Sequence, residues 1–309
     1  MSIAVLRTAD AWWKATPAGA IRLDTTARST TELLADRAAV TAAAGDPVPV
    51  EELALLSPVT APCRVVAQMT NFVSHVRDSG MDPATVPLTF FRKASGSITG
   101  PHGAIVRPEH VRFLDYEVEI GLVFGRTLEV GADLTSAELG DYIAGLVITD
   151  DVSARDVQLP KTQFYEAKSY PTFTPVGPAL VLFEPGDAAR FDQLRLRLWV
   201  NGEPRQDSTV TDMIYRPLET LRALSRFQRM DAGDLLLTGT PGGTALRAPA
   251  KPIEIIGSLL PPALKWKAFF RRQRNNPQYL RHGDIVEAAI ATPDGALDLG
   301  RQRNRVETR

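Results

Sequence analysis

This 309-residue chain contains one cysteine and four histidines. A single cysteine excludes an internal disulfide and any cysteine-rich zinc site. No run of about 18 apolar residues occurs, so no membrane-spanning helix is expected. The formal net charge is −1. Nothing global therefore points to nucleic acid or to an anionic membrane as a partner. The opening residues, MSIAVLRTADAWW, lack the basic start and long apolar stretch of a secretory signal. These absences lead to the expectation of a cytoplasmic protein that is cofactor-free or metal-dependent. Hydrophobic residues make up 44% and charged residues 23%, which is ordinary for a globular protein with a sizeable core.

Residues 1–60 read as a small N-terminal domain. It has a strand (SIAVLR), an Ala-rich helix (TTELLADRAAVTAAA) opened by a Thr cap, and Pro-spaced segments. From residue 61 to 309 short β-type runs dominate, among them CRVVAQ, LTFFRK, AIVRP, PALVLF, LRLRLWV, DLLLTG and DIVEAAI. Cys63 begins one of them and reads as a packed thiol. LRLRLWV alternates strictly, and the Asn-Gly after it signals a hairpin. Helices are expected over SHVRDSG, SAELGDYIAGLV and PLETLRALSRF. Strands do not alternate with long helices, which argues against a doubly wound sheet and for a β-rich α+β fold. Residues 246–280 stand apart as an insertion. Lys265, Lys267, Arg271, Arg272 and Arg274 cluster there with aromatics. The composition suits membrane or nucleic-acid contact, or a short helix packed on its own or a partner subunit. The balanced charge elsewhere favours the helix.

The stretch FLDYEVEIGLVFG, residues 113–125, carries charge inside an apolar run. Strand alternation puts Asp115, Glu117 and Glu119 on one face and Tyr116, Val118 and Ile120 on the other. Asp150, Asp151 and Asp156 follow in ITDDVSARDVQ. Carboxylates with no partnering cysteines favour a hard cation such as Mg²⁺, Mn²⁺ or Ca²⁺. On spacing alone the E-x-E pair equally fits the wet face of an antiparallel sheet.

An ordered series of motifs resembles the fumarylacetoacetate hydrolase family. NFVSHVRDSG is similar to its N-Y-x-x-H-x-x-E lid, with Phe72 in place of Tyr and Asp78 in place of Glu. TFFRKASGSITGPHGAIVRP, DYEVEIGLVFGR, DDVSARDVQ, AKSYPTFTPVGP, VNGEPRQDSTVTDMIY and GDLLLTGTPGG follow in the family's order. The resemblance covers about 62–245 and resumes at 281–300. It implies a mixed β-roll around a divalent metal, usually in a homodimer, with residues 61–309 as the catalytic domain. Glu117, Glu119 and Asp151 are the implied metal ligands, and Asp156 the implied loop anchor. His75 with Asp78, at i and i+3, is expected to activate water. Lys168 is expected to clamp charge or donate a proton. Arg155, Gln158, Thr240 and Lys93 are expected on the substrate side.

The implied substrate is a small 2-oxo acid, with no nucleic acid or membrane partner. The first expected activity is hydrolysis of a C–C bond in a 1,3-dicarbonyl acid of acylpyruvate, fumarylpyruvate or fumarylacetoacetate type. The alternatives on the same site are decarboxylation or tautomerisation of oxaloacetate and isomerisation or hydration of a 2-hydroxy-dienoate. A non-catalytic binding protein acting through 246–280 ranks last.

Overall fold

The strands Val118–Phe124 and Ile143–Asp150 are buried at every position. Near-continuous apolar strands of this kind belong at the centre of a sheet covered on both faces. The computed structural model, which describes residues 2–184, 186–249 and 260–309, places them there. They pair antiparallel in the middle of a nine-stranded sheet. On one side the sheet continues through Leu180–Leu182 to Ala4–Arg7, Trp12–Thr16 and Gly19–Arg22. On the other it continues through Leu235–Leu237 and Val65–Met69 to Thr89–Lys93. The first three strands of the chain thus extend the main sheet.

A second sheet of five strands contains Arg195–Val200, Glu203–Thr209, Ile285–Ala291, Asp298–Thr308 and Ala104–Arg107. Its inward residues Leu196, Leu198, Ala288 and Ile290 join Ile120, Leu122 and Ile148 in the larger core. The opposite face of the large sheet packs a second core, where Val65, Ala67, Val123 and Val147 meet Trp12, Leu33 and Val40. This is the expected β-rich α+β architecture, and among the described residues the sheets do not close into a barrel. Among the same residues no helix is long and apolar enough to cross a membrane.

Several local expectations hold. Arg195–Val200 pairs antiparallel with Glu203–Thr209. The turn residues Asn201 and Gly202 take positive φ of 53° and 79°, as a two-residue primed turn requires. Helices form at Val73–Asp78 and Pro217–Ser225. Two expectations need correction. The N-terminal helix is capped by Ser29, which accepts from Glu32 N, and it divides at Asp36 into Thr30–Ala35 and Arg37–Ala42. Thr30 instead donates its hydroxyl to Pro58 O at 2.8 Å. The SAELGDYIAGLV segment is helical only through Tyr142 and becomes strand from Ile143. There Val147 and Ile148 find cross-strand partners in Gly121 and Ile120, so sheet pairing outweighs local helical pattern. Within the insertion, residues 250–259 lie outside the described residues, and Pro262–Gln273 is a helix. Its Phe270 stacks on Phe113 with centroids 5.2 Å apart.

Cys63 is half-buried against the second core. Burial, reinforced by the charge of Asp234, pushes its thiol up to about 12. The thiolate is the reactive form. At pH 8 the native protein should therefore resist a thiol-labelling reagent, while denaturant-unfolded protein should take up one label per chain. Labelling at equal rates in both states would contradict this packing.

Candidate metal centre and substrate cavity

The antiparallel register sets Glu119 opposite Thr149 and Val118 opposite Asp150. The chain then turns so that Asp151 donates its N–H to Glu117 O at 2.8 Å. One strand start and one strand end thereby bring three carboxylates together. One oxygen each from Glu117, Glu119 and Asp151 lies within 4.8 Å of the others. Glu117 and Glu119 are 4% and 2% exposed, and Asp151 1%. The wet-face reading of the E-x-E pair is thus excluded. The local form also differs from a single strand: pairing breaks at Tyr116 and Glu117, between Leu114–Asp115 and Val118–Phe124.

Buried cations surround the triad. Lys168 Nζ donates to Glu117 Oε2 and Asp151 Oδ2, both at 2.5 Å. Arg155 donates to Glu117 Oε1 at 2.5 Å, to Asp115 Oδ2 at 2.8 Å and to Gln158 Oε1 at 2.8 Å. Lys93 donates to Asp151 Oδ1 and to Phe173 O. Backbone donors add to these contacts. Gly239 N reaches Glu119 Oε2 at 2.6 Å, and Ala245 N and Leu246 N reach Asp115 at 2.8 and 3.1 Å.

The charges do not balance. Asp115, Glu117, Glu119, Asp150 and Asp151 are buried carboxylates, against the buried cations Lys93, Arg155 and Lys168. The deficit is two positive charges. Burial alone would raise Glu117, but Arg155 and Lys168 outweigh it and hold Glu117 well below the usual carboxylate range. Glu119 has no such partner. Burial and the neighbouring charges of Asp151 and Glu117 push it well above its ordinary value. Burial likewise pushes Asp150 up to about 7, and its Oδ2 has no hydrogen-bond partner among the described residues. Burial works against the Lys168 ammonium too, yet Asp151 and Glu117 hold its pKa above normal. An all-carboxylate donor set lacking two positive charges fits one divalent cation. Glu117, Glu119 and Asp151 are the residues that could hold it.

The triad opens into a cavity of about 1010 Å³, lined also by His75, Arg155, Gln158, Lys168, Gly239 and Thr240. Three expected residues sit differently from their expected roles. Asp78 Oδ2 accepts from Gly243 N at 3.0 Å, and among the described residues His75 Nδ1 has no partner, Asp78 included. Lys93 is 2% exposed and holds Asp151 from behind instead of lining the cavity. Thr240 spends its hydroxyl proton on Val118 O at 2.9 Å. Asp156 Oδ2 accepts from Arg112 N, as a loop anchor would. Phe72 is fully buried in the core and is not among the residues that line the cavity.

Sequence reasoning missed Gln206, which accepts from Val118 N and donates to Thr240 Oγ1 and Pro241 O. It lies on the second sheet, in Glu203–Thr209. Its inward position in an alternating strand was the available signal. The aromatic walls were missed as well, because they come from segments far apart in the chain.

Two outcomes follow from this geometry. A cation binds the ionised carboxylate, the form that burial and the charges of Asp151 and Glu117 disfavour at Glu119. The affinity for Mn²⁺ should therefore rise with pH above the ordinary carboxylate range, and calorimetry in buffers of different ionisation enthalpy should show proton release. A pH-independent affinity would contradict the raised Glu119. Gly239 adopts φ +89°, and a Cβ there would lie 2.8 Å from Asn71 Cβ. Gly239→Ala should lower stability by about 1–3 kcal/mol and weaken Mn²⁺ binding, read by thermal melts with and without the ion.

Comparison with known proteins agrees with this geometry. Residues 64–307 match the family described as fumarylacetoacetate (FAA) hydrolase, C-terminal. The mitochondrial oxaloacetate tautomerase Fahd2a of Rattus norvegicus is 33% identical over 200 residues, 64% of this chain and 62% of that protein. The mitochondrial oxaloacetate tautomerase FAHD2A of Homo sapiens is 34% identical over 201 residues, with the same coverage. The matched region thus spans less than two thirds of these relatives' length. A probable 2-hydroxyhepta-2,4-diene-1,7-dioate isomerase from Mycobacterium abscessus superposes with a TM-score of 0.77 at 28% identity, covering 100% of this chain and 99% of that one. A fumarylacetoacetate hydrolase from Exiguobacterium antarcticum superposes with a TM-score of 0.71 at 25% identity, covering 100% of both chains. The chain belongs to the fumarylacetoacetate hydrolase family.

Proposed function

We propose that this protein is a Mg²⁺- or Mn²⁺-dependent enzyme that interconverts the keto and enol forms of a 2-oxo acid. The observation that carries this reading is the unsupported His75. A water-activating dyad needs an acid behind the imidazole, and Asp78 is turned to Gly243 N instead. Burial also pushes the His75 pKa below its usual value, with Glu117 opposing and Arg155 adding to the shift. The neutral imidazole is the form that accepts a proton, so His75 can act as the base toward a C–H beside a carbonyl.

A divalent ion held by Glu117, Glu119 and Asp151 would supply Lewis-acid polarisation of the substrate's carbonyl. Arg155 and Lys93 keep Glu117 and Asp151 in place. His75 takes a proton from C3, and the C3–H electron pair becomes the C2–C3 double bond. The carbonyl oxygen receives a proton from Lys168, whose raised pKa keeps it charged. The step leaves His75 protonated and Lys168 neutral; after the enol departs, His75 loses its proton to water and Lys168 regains one from water, which restores the starting charges. The names of the tautomerase and isomerase relatives support a proton transfer beside a carbonyl. The buried ligand set weighs against a purely binding role. A homodimer remains our reading of the assembly, from the family likeness.

The test follows the enol absorbance of oxaloacetate with Mg²⁺ or Mn²⁺, with acetylpyruvate cleavage run in parallel. Wild type should speed oxaloacetate enolisation. Glu117→Ala should abolish the metal-dependent part, and His75→Ala should slow it about 10²-fold or more. Metal-dependent cleavage of acetylpyruvate without any effect on oxaloacetate would return the assignment to a C–C hydrolase.

A further inference from the structure

A second hollow, of about 440 Å³, lies where the helix Pro262–Gln273 ends, and it shares no lining residue with the cavity over the triad. Arg107, Arg112, Arg274 and Arg281 line it, together with Gln273 and His282, and no Asp or Glu does. Among the described residues none of the four guanidiniums forms an ion pair with a carboxylate. The aspartates bonded to this segment are engaged by backbone: Asp156 Oδ2 accepts from Arg112 N at 2.9 Å, and Asp284 Oδ2 accepts from Arg281 N at 2.7 Å. Like charges gathered around one recess repel unless an anion sits among them.

The lining offers donors. Arg107 is half-buried and held in place, with Nη1 donating to Val111 O at 3.0 Å and Nε and Nη2 donating to Thr308 Oγ1 at 3.3 and 3.0 Å. Further N–H groups of the same guanidinium are left over, and arginine has no acceptor. His282 Nδ1 accepts from Thr308 N at 3.1 Å, so its Nε2 carries the proton and donates. Gln273 Oε1 accepts from Asn276 Nδ2 at 3.2 Å, so its amide NH₂ is what it presents. Tyr279 lines the same hollow at 4% exposure, and its hydroxyl has no partner among the described residues. Buried polar groups are normally paired. Ring stacking is not on offer, because Phe113 already stacks on Phe270 at 5.2 Å and meets Tyr279 edge-on at 5.1 Å. The complement of such a recess is a molecule made of acceptors and negative charge.

From this arrangement we propose that the hollow is a binding site for a compact small-molecule polyanion, an oligophosphate or a polycarboxylate, held by Arg107, Arg112, Arg274 and Arg281. Planar guanidiniums grip phosphate and carboxylate oxygens in pairs, and the volume is within the range of small-molecule sites. The bound anion joins two parts of the fold. Arg107 ends the strand Ala104–Arg107 of the second sheet, and Arg274 caps the insertion helix. The anion therefore pins the C-terminal end of a helix whose other residues line the triad cavity. This site is independent of the metal centre and of the 2-oxo acid reading.

The test is calorimetry of pyrophosphate, citrate, orthophosphate and acetate against the full-length protein in buffer without divalent cations. Pyrophosphate or citrate should bind about tenfold or more tightly than the two smaller anions, and the tighter of the pair names the natural chemistry as phosphate or carboxylate. Arg107→Gln and Arg274→Gln should each weaken that anion about tenfold. Arg274→Lys, which keeps the charge, should weaken it less. Arg274 is exposed, so its replacement keeps the test open if Arg107→Gln does not fold. Arg247→Gln, which removes a cation from the triad cavity, should leave the affinity unchanged. No preference for the multiply charged anions would overturn the site, as would binding that both Gln variants at 107 and 274 retain in full. Binding lost in Arg247→Gln but kept in Arg274→Gln would place the anion in the triad cavity and overturn it too. So would a changed sedimentation mass of Arg274→Gln with its anion affinity unaltered, since the arginines would then serve a subunit contact.

Discussion

Five carboxylates are buried around one point, and the surrounding structure is arranged to make that tolerable. Burying a charge is strongly unfavourable unless it is paired and hydrogen-bonded. Lys93, Arg155 and Lys168 supply part of the compensation from three different segments. The backbone donors of Gly239, Ala245 and Leu246 supply more. The remaining imbalance shows in the raised Glu119 and Asp150. It is the imbalance that a divalent cation held by Glu117, Glu119 and Asp151 would relieve.

The same constraint explains why loops distant in sequence are held so closely. Gln206 reaches in from the second sheet and ties Val118 to the loop at Thr240 and Pro241. Asn71 donates to Thr238 O and Tyr215 O and accepts from Tyr215 N. The short helix Val73–Asp78 is bound to that assembly through Ser74 and Asp78. The helix that carries His75 therefore rides on the loop that supports Glu119. Any change in the 239–243 loop is felt at both the proposed proton carrier and a ligand.

The floor and the walls of the cavity are supplied by different parts of the fold. The polar floor comes from sheet strands and their immediate turns, rigid elements buried in the core. The walls, which combine aromatic side chains with Lys265, Arg271 and Arg272, come from the sheet's edge strand Thr89–Lys93, from short helices and from the insertion helix. A site built this way can keep one reaction while its chamber changes, since the walls carry little of the charge balance that the floor requires.

The sequence by itself determined the charged residues and most of the strands. The acidic run at 115–119, the Asp pair at 150–151 and Lys168 were legible because ordered motifs surround them. The hairpin at Asn201 was legible because only certain residues accept positive φ. What the tertiary structure decided was partnership. No spacing rule shows that Asp78 binds Gly243 N and not His75, that Lys93 backs a ligand, or that Thr240 has already given its proton to Val118. Those outcomes depend on which of several nearby acceptors wins once the chain is packed. The strand from Ile143 escaped the helical reading for the same reason: its partners, 19 to 37 residues away in sequence, exist only in the folded sheet. Residue identity set what chemistry was available, and long-range packing set which atoms could meet to perform it.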